Sequence, residues 1–202
     1  MRPLTVRDID VSNKRVLVRV DFNVPLNPVG EITDDSRIGA TIPTIEYLLE
    51  QGAKIILISH MGRPDAQIKT SLSLKVVADR LAQLMRHPVK FIGECIGDSV
   101  EQSVKKMISG DIILLENLRF HPEEESNDAS FADSLARLGE IYVDDAFGTA
   151  HRRHSSIVGV ARNLPSVAGL LLEKELNSLG HILRNPSRPF CVLFGGAKIS
   201  DK

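Results

Sequence analysis

"RVLVRVDFNVPL", Arg15 to Leu26, decides how this chain is read. A run of β-branched residues predicts a strand. The run gives way to Asp21, Asn23 and Pro25 instead of to further strand residues. In open parallel sheets ligands sit at the carboxyl ends of the strands. A carboxylate and a carboxamide at such an end are therefore candidates for binding, with plain turn formation as the alternative.

Working outward, similar runs recur: Lys54–His60, Val89–Ile92, Asp111–Asn117, Ile141–Phe147 and Phe190–Phe194. Several, such as IILIS and DIILL, are almost wholly apolar, as in strands buried on both faces. Between them lie helical patterns over Ile38–Gln51, Leu72–Met85, Val100–Ile108 and Ser130–Leu138. Gly52 follows the first as a C-cap candidate. Val167–Leu183 reads as one further helix, broken by "NPSRP". The alternation predicts an α/β fold with a mainly parallel sheet. The acidic run Pro122–Glu125 with Ser126, Asn127 and Asp128 reads as a solvated loop leading into a helix start.

With 202 residues, 43% hydrophobic and 25% charged, the chain has an ordinary globular composition and enough length for a sizeable core. A net charge of -1 excludes a global basic field for nucleic acid or an anionic membrane, so any anion site must be a local cluster. No apolar stretch is long enough to span a bilayer, and MRPLTVRDID holds no apolar signal region. Cys95 and Cys191 lie far apart, without metal-ligand spacing. They read as small buried hydrophobes of a reducing, cytoplasmic compartment.

The residues just after each strand carry the chemistry. Asp21 and Asn23 follow the first strand, His60 and Arg63 the second ("SHMGRP"), and Arg119 and His121 the fourth ("LENLRFHP"). His151, Arg152, Arg153 and His154 follow the fifth ("GTAHRRH"), and Arg37 opens the first long helix. Parallel strands would gather these at one edge, placing cations from several segments around one crevice. Arginine's planar fork suits phosphate and carboxylate, so a small, multiply anionic substrate is expected. Asp21 and Asn23 would read hydroxyls or orient the arginines. Gly62 and Pro64 would shape a tight turn. A metal site at His151 and His154 is the weaker reading, because no carboxylate or Cys partner is near in sequence. "GGAKISDK" offers a glycine turn with Lys198 and Lys202 four apart, without Walker A spacing.

In their order, "RVDFNVPL", "DDSRI", "SHMGRP", "LENLRFHPEEE", "DAFGTAHRRHSS" and "GGAKISDK" resemble the signature segments of the phosphoglycerate kinase family. The resemblance implies a three-layer αβα Rossmann-like domain, the N-terminal half of a two-domain kinase. It divides the chain into a substrate domain (1–166), an interdomain helix (167–185) and the start of a nucleotide-binding domain (186–202). The implied reaction is reversible phosphoryl transfer between 1,3-bisphosphoglycerate and ADP, giving 3-phosphoglycerate and ATP with Mg2+. Asp21, Phe22, Asn23, Arg37, His60, Met61, Gly62, Arg63, Arg119, His151 and Arg152 match substrate-binding positions. Arg37 and Lys198 match residues beside the transferring phosphoryl, and Gly195, Gly196, Lys198 and Lys202 match nucleotide contacts. No protein metal ligand, nucleic-acid partner or membrane partner is implied, and a monomer is expected. Where the family often has a small residue, this chain has Arg153, expected to face solvent. Two other readings compete: an aspartyl-phosphate phosphatase at Asp21, which would need an aspartate where Asn23 stands, and a non-catalytic anion-binding module.

Overall fold

The computed structural model describes residues 3–184 and 186–193. Among them are the strands β1 (Arg15–Arg19), β2 (Lys54–Ile58), β3 (Lys90–Ile92), β4 (Ile112–Leu115), β5 (Ile141–Asp144) and β6 (Ser166–Ala168). They form one sheet in the order β3-β4-β2-β1-β5-β6. Every pairing is parallel. The helices are α1 (Ser36–Glu50), α2 (Lys75–Met85), α3 (Asp98–Lys105), α4 (Pro122–Ser126), α5 (Ala129–Ala136), α6 (Val160–Asn163) and α7 (Leu170–Arg184).

Successive strand side chains point to opposite faces, and both faces here are apolar. Val16, Val18, Ile55, Leu57 and Val143 pack with Ile38, Ile45 and Leu48 of α1 and Val77 and Leu81 of α2. Leu17, Ile56, Ile58, Ile113 and Tyr142 pack on the other face with Val100 and Val104 of α3 and Phe131 and Leu135 of α5. This is the three-layer αβα arrangement, with the near-continuous apolar strands that two covered faces require. Each fully buried Leu, Ile or Val contributes about 1.5–3 kcal/mol relative to exposure.

β1 sits centrally, paired with β2 on one side and β5 on the other. The chain after β1 leads to β2, whereas the chain after β5 leads to β6 at the opposite edge. The order therefore reverses between β1 and β5, the place where open α/β sheets form a crevice.

Several expectations need correction. β1, β2, β4 and β5 stop two or three residues before the expected runs do, whereas β3 ends at Ile92 as expected. Val20 N still donates to Ile58 O at 3.0 Å, but past it the chain has no neighbouring strand and splays into loops. Residues 166–168, the first of them just before the expected helix over Val167–Leu183, form β6. The helix begins at Leu170 instead. β5 needs a partner on that side, and a three-residue strand gives too short a period to see in sequence. No strand occurs over residues 190–193, where Phe190, Val192 and Leu193 are exposed; Phe194 lies outside the described residues. Cys95 is buried as expected, but Cys191 is exposed. The acidic run is the short helix α4, not a loop, and its Glu124 is fully buried. Asp128 caps α5 by accepting from Phe131 N at 2.9 Å. At Gly52, φ is +72° and N donates to Leu49 O, closing α1 as its spacing suggested.

β5 approaches β1 closely at its start. A Cβ on Gly139 would lie 2.9 Å from Leu17 Cβ and 3.3 Å from Leu17 N. We expect Gly139→Ala to destabilise the fold by about 1–3 kcal/mol through overpacking. Urea unfolding followed by circular dichroism would show it as a lowered midpoint at unchanged slope; an unaltered midpoint would mean that the β1–β5 contact yields.

Candidate functional site

The loop after β1 is built by short polar contacts. Asp21 Oδ2 accepts from Arg37 Nη1 at 2.7 Å, and Asp21 Oδ1 accepts from Asn23 N at 3.3 Å. Asp21 thus orients Arg37, whose side chain is half exposed. Asn23 Oδ1 accepts from Gly62 N at 2.8 Å, and Gly62 O accepts from Arg119 Nη1 at 2.7 Å. Gly62 has φ +61°, and a Cβ there would lie 2.9 Å from Leu72 Cδ2. Asn117 holds the same turn by accepting from Met61 N and donating to Met61 O. The segments after β1, β2 and β4 are therefore tied together through Gly62.

The loop after β5 closes the other side. A Cβ on Gly148 would come within 2.8 Å of Asp21 Oδ2. A cavity of about 220 Å³ opens here between Asp21, Arg37, Thr41, Asp145, Phe147 and Gly148.

Behind these loops lies a buried polar network. Arg19, 1% exposed, donates from Nε to Ser156 Oγ at 2.9 Å and from Nη2 to His60 Nδ1 at 3.1 Å. It also donates from Nη1 to Val20 O. Ser156 Oγ donates to Glu124 Oε1 at 2.6 Å, and Ser156 N donates to Glu124 Oε2 at 2.9 Å. His154 Nδ1 lies 3.6 Å from Glu124 Oε1. Tyr142 Oη donates to Ser156 O at 2.7 Å. Burial opposes ionisation of Glu124, but hydrogen bonds from His154 and Ser156 and the charge of Arg19 hold its pKa below the ordinary glutamate value.

His60 was expected as one of the cations. The structure corrects this. Burial, followed by the charges of Arg19, Arg119, Arg152 and His154, pushes its pKa down to about 2. It is a neutral imidazole ringed by positive groups. Its Nδ1 faces a guanidinium, which can only donate, so the hydrogen sits on Nε2.

Arg119 is 4% exposed. Its Nε is 3.0 Å from Glu125 Oε1 but off the hydrogen-bond line, and both Nε and Nη2 lack a hydrogen-bond partner. Arg152 Nε is also buried without one. Buried donors left unpaired are costly, and here two arginines present them side by side. Burial pushes the Arg119 pKa below the ordinary arginine range, Glu125 raises it, and Arg152 and Arg19 lower it further.

Of the remaining residues singled out in the sequence, Phe22 and Met61 bury their side chains in the core and reach the site through backbone alone. Phe22 N donates to Ser59 Oγ at 2.9 Å. Arg63, His151 and Arg153 are exposed. Gly195, Gly196, Lys198 and Lys202 lie outside the described residues. Among the described residues no group of three or more His, Cys, Asp or Glu could hold a metal ion. Four residues were missed: Arg19, Glu124, Ser156 and Asp145. Arg19 could have been suspected, as a charge inside a strand predicted to be buried. Asp145 carries an orphaned, buried Oδ2, while its Oδ1 accepts from Leu171 N and Leu172 N at the start of α7. Burial raises its pKa to about 6.

Comparison with known proteins gives one answer. The phosphoglycerate kinase family profile matches residues 6–202. A phosphoglycerate kinase of Desulforudis audaxviator is 57% identical over 198 residues, 98% of this chain and 50% of that protein. One from Moorella thermoacetica is 54% identical over 202 residues, 100% of this chain and 51% of its own length. Among solved structures, the phosphoglycerate kinase of Pyrococcus horikoshii OT3 superposes with a TM-score of 0.89 at 35% identity, covering 98% of this chain and 50% of that one. That of Coxiella burnetii gives 0.82 at 37% identity, covering 93% and 46%. The chain spans about half the length of the relatives it matches.

His60 and Asp145 give opposite pH dependences. Below about pH 6.5 the unfolded chain protonates His60 and the folded chain does not, so the stabilisation His60 gives above that pH is lost on acidification. Asp145 keeps its proton in the fold up to about pH 6, so its contribution is present below the unfolded value of 3.8 and lost as pH rises through 6. We expect Asp145→Asn to gain stability at pH 7 relative to the parent, on the order of 1–3 kcal/mol, with the gain vanishing near pH 4. Denaturant unfolding at both pH values checks this; a loss at pH 7 would mean that the carboxylate is needed at the start of α7.

Proposed function

The chain belongs to the phosphoglycerate kinase family, and from that premise we propose that its crevice binds 3-phosphoglycerate and 1,3-bisphosphoglycerate. The observation that carries the reading is the buried Arg119 together with the half-buried Arg152, whose buried donors lie unpaired near the neutral His60. An anionic phosphate supplies the acceptors those donors lack, at charge-assisted strength. Arg37, aimed by Asp21 at the β1–β5 end, is placed to meet the carboxylate end of such a substrate.

The reaction proposed for the whole protein is phosphoryl transfer between 1,3-bisphosphoglycerate and ADP. In the ATP-consuming direction the attacking group is a carboxylate, already ionised at neutral pH, so the crevice needs no general base. Its contribution is to position the acceptor and to stabilise charge. Arg119 and Arg152 fix the phosphate end, and Arg37 offsets charge at the carboxyl end. Mg2+ and the nucleotide supply the other half of the chemistry. The described residues hold no cluster fitted to the metal, and the proposed nucleotide contacts Gly195, Gly196, Lys198 and Lys202 lie outside them. We assign both ligands to a second domain. Leu176, Leu179 and Leu183 form an exposed apolar stripe at helical spacing on α7, a face suited to such a neighbour. Residues 1–202 alone are then expected to bind 3-phosphoglycerate without turnover, as a cytoplasmic monomer.

Calorimetric titration of the 202-residue chain with 3-phosphoglycerate is the test, beside Arg119→Ala and Arg153→Ala. Losing hydrogen bonds from a charged donor costs about 1.5–3 kcal/mol, so Arg119→Ala should weaken binding roughly 10- to 100-fold. Arg153→Ala should leave it within about twofold, as a change within roughly 0.5 kcal/mol does. A folded chain that shows no saturable binding, or binding indifferent to Arg119, would sink the assignment, and turnover by the chain alone would refute the two-domain division.

A further inference from the structure

We propose that Glu124 is a positioning residue: acting through Ser156 and Arg19, it fixes which nitrogen of His60 carries hydrogen in the anion crevice. The inference rests on the reading of that crevice as the substrate site.

One chain of hydrogen bonds joins Glu124 to His60, and neither of its ends has freedom. Glu124 is an ionised carboxylate and can only accept. Its Oε1 lies 2.6 Å from Ser156 Oγ, so the Ser156 hydroxyl hydrogen must point to Glu124. That leaves the hydroxyl lone pairs for Arg19 Nε, which donates at 2.9 Å. The same guanidinium donates from Nη2 to His60 Nδ1 at 3.1 Å. A guanidinium has no lone pair to offer, so Nδ1 must be bare and Nε2 must bear the hydrogen. Every member is buried: Arg19 1%, His60 3%, Glu124 0% and Ser156 0% exposed. Water therefore has little access to reverse any link, and hydrogen bonds in sequence polarise one another.

α4 supplies more than one anchor. Glu124 holds Ser156 through both carboxylate oxygens, Glu125 lies beside Arg119 Nε, and Glu123 O accepts from Ser155 Oγ at 2.7 Å. One short helix thus sets the rear of the crevice against β1, β2 and the segment after β5. The consequence for binding is specific. On the reading of the crevice as an anion site, His60 would supply a neutral N–H donor among arginines whose charge is permanent. Without the carboxylate, the Ser156 hydroxyl is no longer held to accept from Arg19, whose remaining protein anchor is Val20 O, and the Nδ1–H form of His60 becomes more accessible. An imidazole in that form presents a lone pair where the anion needs a donor.

The test uses the full natural protein carrying this sequence, with Glu124→Gln and Ser156→Ala made singly and together. Long-range ¹H–¹⁵N correlation spectra at pH 7 report the His60 tautomer directly, and 3-phosphoglycerate titration reports the site. We expect the parent to show the Nε2–H form. Each variant should populate Nδ1–H and bind 3-phosphoglycerate about 5- to 30-fold more weakly. KM for that substrate should rise more than kcat falls, with the nucleotide KM unchanged. The double variant should add little to either single one, as for links in one chain. If Glu124→Gln fails to fold, Ser156→Ala carries the same expectation alone. Folded variants with the parental tautomer and parental affinity overturn the proposal. A parent that ignores 3-phosphoglycerate, with a tautomer that still responds to Ser156→Ala, overturns the substrate reading and leaves the relay standing.

Discussion

β1 is paired in parallel on both flanks, to β2 along its whole length and to β5 from Val16 onward. From this one constraint the placement of the chemistry follows. Parallel pairing sends the ends of β1, β2, β4 and β5 to one edge of the sheet, and the reversal of strand order beside β1 opens a gap there. Polar residues as far apart as Arg19 and Arg152 come to act on the same imidazole. An antiparallel partner on either side would have sent half of these loops to the opposite edge.

Bringing permanent cations together in a buried place is costly, and the structure shows how the cost is met. Arg19 is satisfied entirely within the protein, by Val20 O, Ser156 Oγ and His60 Nδ1. Its counter-charge is Glu124, one hydroxyl away. Removing one partner of such a buried pair is strongly destabilising, whereas the intact pair adds little net stability. Arg119 and Arg152 are handled differently: each keeps donors that no protein group satisfies. The contrast separates a cation satisfied within the protein from cations that keep unpaired donors.

α7 joins two regimes in one helix. Its first turn is fixed by Thr44 Oγ1, which accepts from Leu170 N at 3.0 Å, and by Asp145 Oδ1. A Cβ at Gly169 would lie 2.2 Å from that carboxylate oxygen, so no larger residue could precede the helix without displacing Asp145. Leu172 is buried, while Leu176, Leu179, Ile182 and Leu183 further along are exposed. The helix is therefore rigidly seated at the edge of the crevice and bare at its other end.

Local signals in the chain specify the class of fold and mark which sheet edge gathers its polar residues. Apolar runs such as IILIS fit only strands covered on both faces, and polar residues clustered after each run marked the edge that matters. These signals are local, so a chain of letters carries them. It could not say where each strand ends, because past Val20 the chain stops pairing only where no neighbouring strand runs alongside. Nor could it see β6, three residues long and held by the free side of β5. Glu124 stands among three successive glutamates that look alike in sequence; only the packing of α4 against Ser156 buries the middle one. The charge of His60 was likewise decided in three dimensions. An imidazole titrates near neutrality in water, and burial together with arginines drawn from three distant segments leaves it neutral here. Long-range electrostatics and burial are properties of the folded arrangement, and they decided which of the legible residues are charged, which are satisfied and which merely fill.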